Sequence, residues 1–94
     1  MPEYTPEELE ADLQNEQEFL DFFERKNIET IDRFLGRKQY NSLSDCFRIV
    51  HYEHMPRIGL IYHSRSRCPD ELADAVINKY KLLFEKWARF SSER

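Results

Sequence analysis

A chain of 94 residues and 11.5 kDa can build one hydrophobic core, which excludes a multidomain enzyme with a large enclosed pocket. An apolar fraction of 40% beside 34% charged residues, with thirteen aromatics and two glycines, excludes a disordered chain and every glycine-rich phosphate loop. The formal charge of -4 conceals an uneven layout: residues 1–24 hold nine acids and no Lys or Arg, residues 25–67 hold nine bases against four acids, and residues 68–94 hold five of each.

The first element is announced by Thr5-Pro6-Glu7-Glu8, in which Thr5 caps, Pro6 takes the first helical position and Glu8 completes a capping box. Leu9, Leu13, Leu20 and Phe23 follow at helical spacing, widened by Phe19 and Phe22. The apolar pattern shifts phase after Lys26, so a break is predicted at Lys26 to Asn27. Asn27 then caps a short second helix through Ile28, Ile31, Phe34 and Leu35 that stops at Gly36. Residues 37–45, rich in Asn and Ser, read as a connector.

Cys46 to His54 turns β-branched and aromatic (Phe47, Ile49, Val50, Tyr52), and Arg57 to His63 repeats that character. The segment between them is short enough to close a hairpin. On the second strand Ile58, Leu60 and Tyr62 share one face, and Gly59 marks a bulge or the close approach of a packing partner. A two-stranded ribbon is marginal in water and requires covering helices, a further strand or a second copy. Pro69 through Phe90 carries Leu72, Val76, Tyr80, Leu83, Trp87 and Phe90 at spacings of four and three, the pattern of a long amphipathic helix capped by Cys68 or Asp70. The predicted fold is α+β over residues 1–94, with N-terminal helices and a long C-terminal amphipathic helix packed on a central antiparallel β-hairpin, and frayed ends at 1–4 and 91–94.

Chemistry has few carriers here. His51, His54 and His63 fall on or beside the hairpin, and His51 could approach His63 across it, yet their spacing follows no metal-ligand pattern. No metal and no cofactor are expected. Cys46 and Cys68 are too few for a secreted disulfide framework and no signal segment precedes them. Free thiols and a cytoplasmic location follow. No apolar run is long enough to cross a bilayer, so no membrane is expected among the partners. Nucleophile elbows and paired-cysteine motifs are missing, and no catalytic residue is assigned.

Binding is therefore the expected mode of action. The leading reading is a small non-catalytic adaptor or inhibitor that holds a protein partner with a basic surface through an acidic face of the first helix: Glu7, Glu10, Asp12 and Glu16. The alternative is a nucleic-acid-binding module that uses Arg57, Tyr62, Arg65 and Arg67 of the hairpin and the following loop, guanidinium groups holding phosphate and tyrosine stacking on bases. The order helix, strand, strand, helix is comparable with that of double-stranded-RNA-binding domains. The last helix here opens on Pro69-Asp70-Glu71-Leu72, acidic where that family is basic, so no family is assigned. Phe19, Phe22 and Phe23 cannot all face inward on one narrow stripe, which favours pairing into a homodimer.

Overall fold

Helix α1 starts where local chemistry sets it. In the computed structural model, which describes residues 5–34, 42–53, 57–63, 68–85 and 90–92, the Thr5 hydroxyl accepts the Glu8 N–H at 3.1 Å. Pro6 opens the helix, and the Thr5 carbonyl takes the Leu9 N–H. From there α1 runs unbroken from Pro6 to Phe34, 29 residues. The predicted break at Lys26 to Asn27 is absent, and the side chains explain it. Asn27 spends its Oδ1 on the N–H of Ser44, 3.1 Å away in the connector, so its backbone stays helical. The buried Thr30 hydroxyl donates to the Lys26 carbonyl at 2.7 Å, which satisfies it inside the helix. Ile28 and Ile31, whose phase suggested the break, lie exposed and outside the core. The predicted stop at Gly36 lies outside the described residues.

A single 3-10 turn, Leu43–Asp45, delivers the chain to the sheet. Leu43 is fully buried, and Asp45 accepts the Ser42 N–H at 3.3 Å. Strands β1 (Phe47–His51) and β2 (Ile58–Tyr62) then pair antiparallel, Phe47 opposite Tyr62 and His51 opposite Ile58. This is the predicted hairpin. The Tyr52 N–H still donates to the Arg57 carbonyl beyond the ladder's end.

Gly59 sits in regular register opposite Val50, so it marks a close approach and no bulge. A Cβ there would lie 2.7 Å from the Tyr52 ring and 3.1 Å from Val50 Cγ2. Gly59→Ala is expected to lower Tm by about 4–8 °C, the equivalent of about 1 kcal/mol in a domain of this size. In a Tyr52→Ala background the same change should be neutral, because the obstructing ring is gone. Equal losses in both backgrounds, measured by thermal denaturation, would place the constraint on Val50 instead.

Helix α2 covers Asp70–Leu83, 14 residues. It is shorter than the predicted helix at its C-terminal end. Pro69 precedes it as the N-cap without a side-chain cap, so neither Cys68 nor Asp70 plays that part. The Pro69 carbonyl takes the N–H groups of Leu72 and Ala73. At the far end the Phe84 N–H closes on the Tyr80 carbonyl and the helix stops. Phe90, expected on the helix, instead opens β3 (Phe90–Ser92), which pairs parallel to β2 with Leu60 opposite Phe90 and Tyr62 opposite Ser92. Ser91 and Ser92, expected to fray, are part of this strand. The sheet order is β1-β2-β3, and the helical crossover through α2 is the connection that a parallel pair requires.

With a neighbour on either side, β2 is more buried than β1, and Ile58, Leu60 and Tyr62, which the alternation sets on one face, lie in the core. Both helices cover that face. Phe23 of α1 meets Phe47 of β1 edge-on at 6.5 Å, and Tyr80 of α2 meets Phe19 of α1 edge-on at 5.3 Å. Tyr80 also donates its hydroxyl to the Ile58 carbonyl at 3.2 Å. One buried side chain thus joins α2 to α1 and to the central strand.

Candidate interaction surface on helix α1

Helix α1 falls into two parts. From Thr5 to Glu18 every residue is exposed except Asp12, Asn15 and Glu16, which are partly buried, and the first fully buried one is Phe19. At 1.5 Å per residue the part before Phe19 is about 20 Å long, and the molecule measures 49 Å along its long axis against 25 and 20 Å across. Leu9 and Leu13, 40% and 38% exposed, lie one helical turn apart and form an open apolar strip on this part.

The four acids expected to share one face do not share it. Successive helical residues turn by about 100°, which sets Glu7 and Asp12 about 140° apart around the axis. Glu7 and Glu10 are exposed, whereas Asp12 and Glu16 are partly buried on the side that carries Phe19 and Phe23. Glu16, its side chain 12% exposed, has a carboxylate oxygen 3.9 Å from Arg57 Nε at the hairpin's end. The outward carboxylates that join Glu7 and Glu10 are Glu18, Asp21 and Glu24, all exposed. The helical period of the sequence already separates these two sets.

The residues expected to hold nucleic acid are not brought together as a surface among the described residues. Tyr62 is 7% exposed and stacks on Phe47 with ring centroids 4.8 Å apart, so its ring faces are spent on the core and offer no platform for a base. Arg57 is partly exposed and turns toward Glu16. Arg65 and Arg67 lie outside the described residues.

Of Phe19, Phe22 and Phe23, at least one of which was expected to meet a second copy, Phe19 is buried, and Phe22 and Phe23 are partly buried against their own chain; cations gather over the Phe22 ring. Arg25 Cζ, Lys79 Nζ and Lys26 Nζ stand 5.5, 5.8 and 6.0 Å from its ring centroid, the arrangement by which a ring quadrupole holds cations. Lys26 also donates to Glu29 at 2.8 Å, which holds the Glu29 carboxyl below the usual carboxylate range. Basic side chains thus follow the acidic half of the helix directly.

His51 and His63 stand at opposite ends of the hairpin ladder, since His51 pairs with Ile58 while the His63 N–H reaches the Cys46 carbonyl. The expected approach of these two imidazoles does not occur. His54 lies outside the described residues. Among the described residues no three His, Cys, Asp or Glu side chains gather where an ion could be held, and no helix is long and apolar enough to cross a membrane.

What the fold defines is an α+β domain, two helices laid on one face of a hairpin extended by a parallel third strand. Compared with protein-family models, with curated proteins and with solved structures, the chain matches none.

Proposed function

We propose that this protein is a small non-catalytic adaptor or inhibitor that binds a protein partner through the exposed N-terminal half of α1. The observation that carries this reading is a stretch of 13 helical residues, Pro6 to Glu18, in which ten are exposed and only Asp12, Asn15 and Glu16 are partly buried, although Leu9 and Leu13 give it an apolar strip. Such a helix docks in an apolar groove by residues spaced three and four apart. Glu10, about 60° round the axis from Leu13, borders the strip, and with Glu7, Glu18, Asp21 and Glu24, exposed elsewhere on the helix, it sets the electrostatic character of the partner: Lys and Arg on the groove's rim. Rim charges act chiefly on the rate of encounter and on the choice of partner, while the leucines supply the buried contact.

The test is affinity capture from the native source by the full chain, in parallel with Glu7→Lys/Glu10→Lys/Asp21→Lys and with Leu9→Ser/Leu13→Ser, each with and without nuclease. A protein retained by the wild type after nuclease treatment, weakened about tenfold or more by either set of changes and released by salt, supports the reading. Equal retention by all three chains removes it. Loss of all bound protein on nuclease treatment would transfer the role to nucleic acid.

A further inference from the structure

Strand β1 forms one edge of the sheet. The bonds just beyond the two ends of its ladder, Tyr52 N–H to the Arg57 carbonyl and His63 N–H to the Cys46 carbonyl, both fall on even-numbered positions of this segment. Bonded and open pairs alternate along an antiparallel ladder, so Arg48 and Val50 also turn their backbone groups to β2, and Phe47, Ile49 and His51 turn theirs away from it. Among the described residues nothing takes up these outward groups. The edge also lacks the usual guards against pairing: its register is regular through all five pairs, and it holds no Pro and no Lys.

One flank of α1 overhangs this edge. Phe22 lies beside Lys79 of α2, Phe19 against Tyr80 of α2, Phe23 against Phe47 of β1, and Asn27 reaches Ser44 ahead of β1. Counted from Phe22, Phe19 stands about 60°, Phe23 about 100° and Asn27 about 140° round the helix axis, and Leu20 and Glu24 follow at about 160° and 200°. Leu20 and Glu24 are therefore on the side away from α2, above the free edge. Along the axis, Glu16 stands by Arg57 at the His51 end of β1 and Phe23 by Phe47 at its start, which sets Leu20 level with Ile49. Both of these apolar residues are only partly buried.

We propose that the free edge of β1 is a self-association site, at which a second copy of this chain adds its own β1, antiparallel, about a two-fold axis through Ile49. The edge is complementary to itself. Its outward groups are placed symmetrically about Ile49, so Ile49 faces Ile49, Phe47 faces His51, and up to about six backbone hydrogen bonds close between the copies. Arg48 then faces Val50, and no like charges meet directly across the seam. On the helix layer the same axis lays Leu20 beside Leu20 and brings the exposed Glu24 of each copy level with the partly exposed Arg57 of the other. This charge complementarity, made twice by the symmetry, selects a second copy over a foreign strand.

The seam spans about 17 Å of strand and buries less than the roughly 1,000 Å² of a permanent dimer, so association is reversible, in the micromolar range. Neighbouring strands twist by about 20–25°, so helices riding on the two halves of the joined sheet cross near Leu20 and diverge beyond it. The Leu9 and Leu13 strip stays open to a different partner.

The experiment is sedimentation velocity of the full chain from about 1 μM to about 1 mM. A monomer at the low end and a dimer at the high end, reversed by dilution, is expected. His51→Pro removes an outward N–H and no bond to β2, so it should weaken the dimer about tenfold or more while leaving the Tm of the dilute monomer unchanged. Ile49→Cys places a thiol where the axis residue meets itself and should give a disulfide-linked dimer on mild oxidation, whereas His51→Cys, which faces Phe47, should not. A monomer at every concentration, a dimer that His51→Pro leaves intact, or cross-linking at position 51 as ready as at 49 would each overturn the proposal. Sedimentation of the wild type and of His51→Pro decides the matter even if the cysteine variants fail to fold.

Discussion

Replacing Tyr80 by alanine is expected to cost about 3–5 kcal/mol, a large share of the roughly 5–14 kcal/mol that a domain of this length commands. The ring is fully buried, stands edge-on to Phe19 at 5.3 Å and lies 5.4 Å from Phe84. Its removal opens a cavity where α1, α2 and β2 meet. Tyr80→Phe keeps the ring and loses the hydroxyl that donates to the Ile58 carbonyl, so about 1 kcal/mol should be lost. The check is chemical denaturation of both variants at constant slope. If the two lose equal amounts, the hydroxyl and not the ring holds the three elements together, and the packing account fails.

The place of Tyr80 on the apolar stripe of its helix was legible in the sequence, because Val76, Tyr80 and Leu83 repeat at helical spacing; its bridge to Phe19 and Ile58 was not. The hairpin was legible for a similar reason: alternation along Ile58, Leu60 and Tyr62 sets those three residues on one face, and the structure shows that this face is the covered one. Strand β3 was not legible. Three residues are too few to show a period, and Phe90 falls in helical phase with Trp87 by coincidence of spacing. The unbroken course of α1 was hidden for a different reason: Asn27 can cap a helix or, as here, reach across to Ser44, and a local reading cannot see a donor 17 residues away.

The acidic block shows what charge counting leaves out. Nine carboxylates in the first 24 residues suggest one surface, but α1 distributes the eight that it carries, Glu7 to Glu24, around its axis. Asp12 and Glu16 fall on the side of Phe19 and Phe23, with Glu16 3.9 Å from Arg57, while Glu7 and Glu10 remain exposed. The long, partly exposed contact between Glu16 and Arg57 is worth at most about 1 kcal/mol. Its effect is to bring one acid of the first block beside one base of the second, leaving the outward carboxylates as the charge a partner would meet.

Phe19→Ala and Leu13→Ala should differ sharply, although the residues lie six apart on one helix. Phe19 is fully buried beneath Tyr80, Phe22 and Phe23, and its truncation is expected to cost about 3–5 kcal/mol, lowering Tm by roughly 12–40 °C. Leu13 is 38% exposed, so Leu13→Ala should stay within about 1 kcal/mol of wild type, helped by alanine's helix propensity. Thermal denaturation at several protein concentrations measures both. A small loss at Leu13 together with a large one at Phe19 means that the first half of α1 adds little to the core and keeps its leucines available for a partner. A loss at Leu13 that rivals Phe19 and shrinks as the protein is diluted would mean that a second copy already covers the strip, because association stabilises the wild type most at high concentration. The acidic half of the helix would then be an assembly surface, and the binding site for a different protein would have to be sought elsewhere on the molecule.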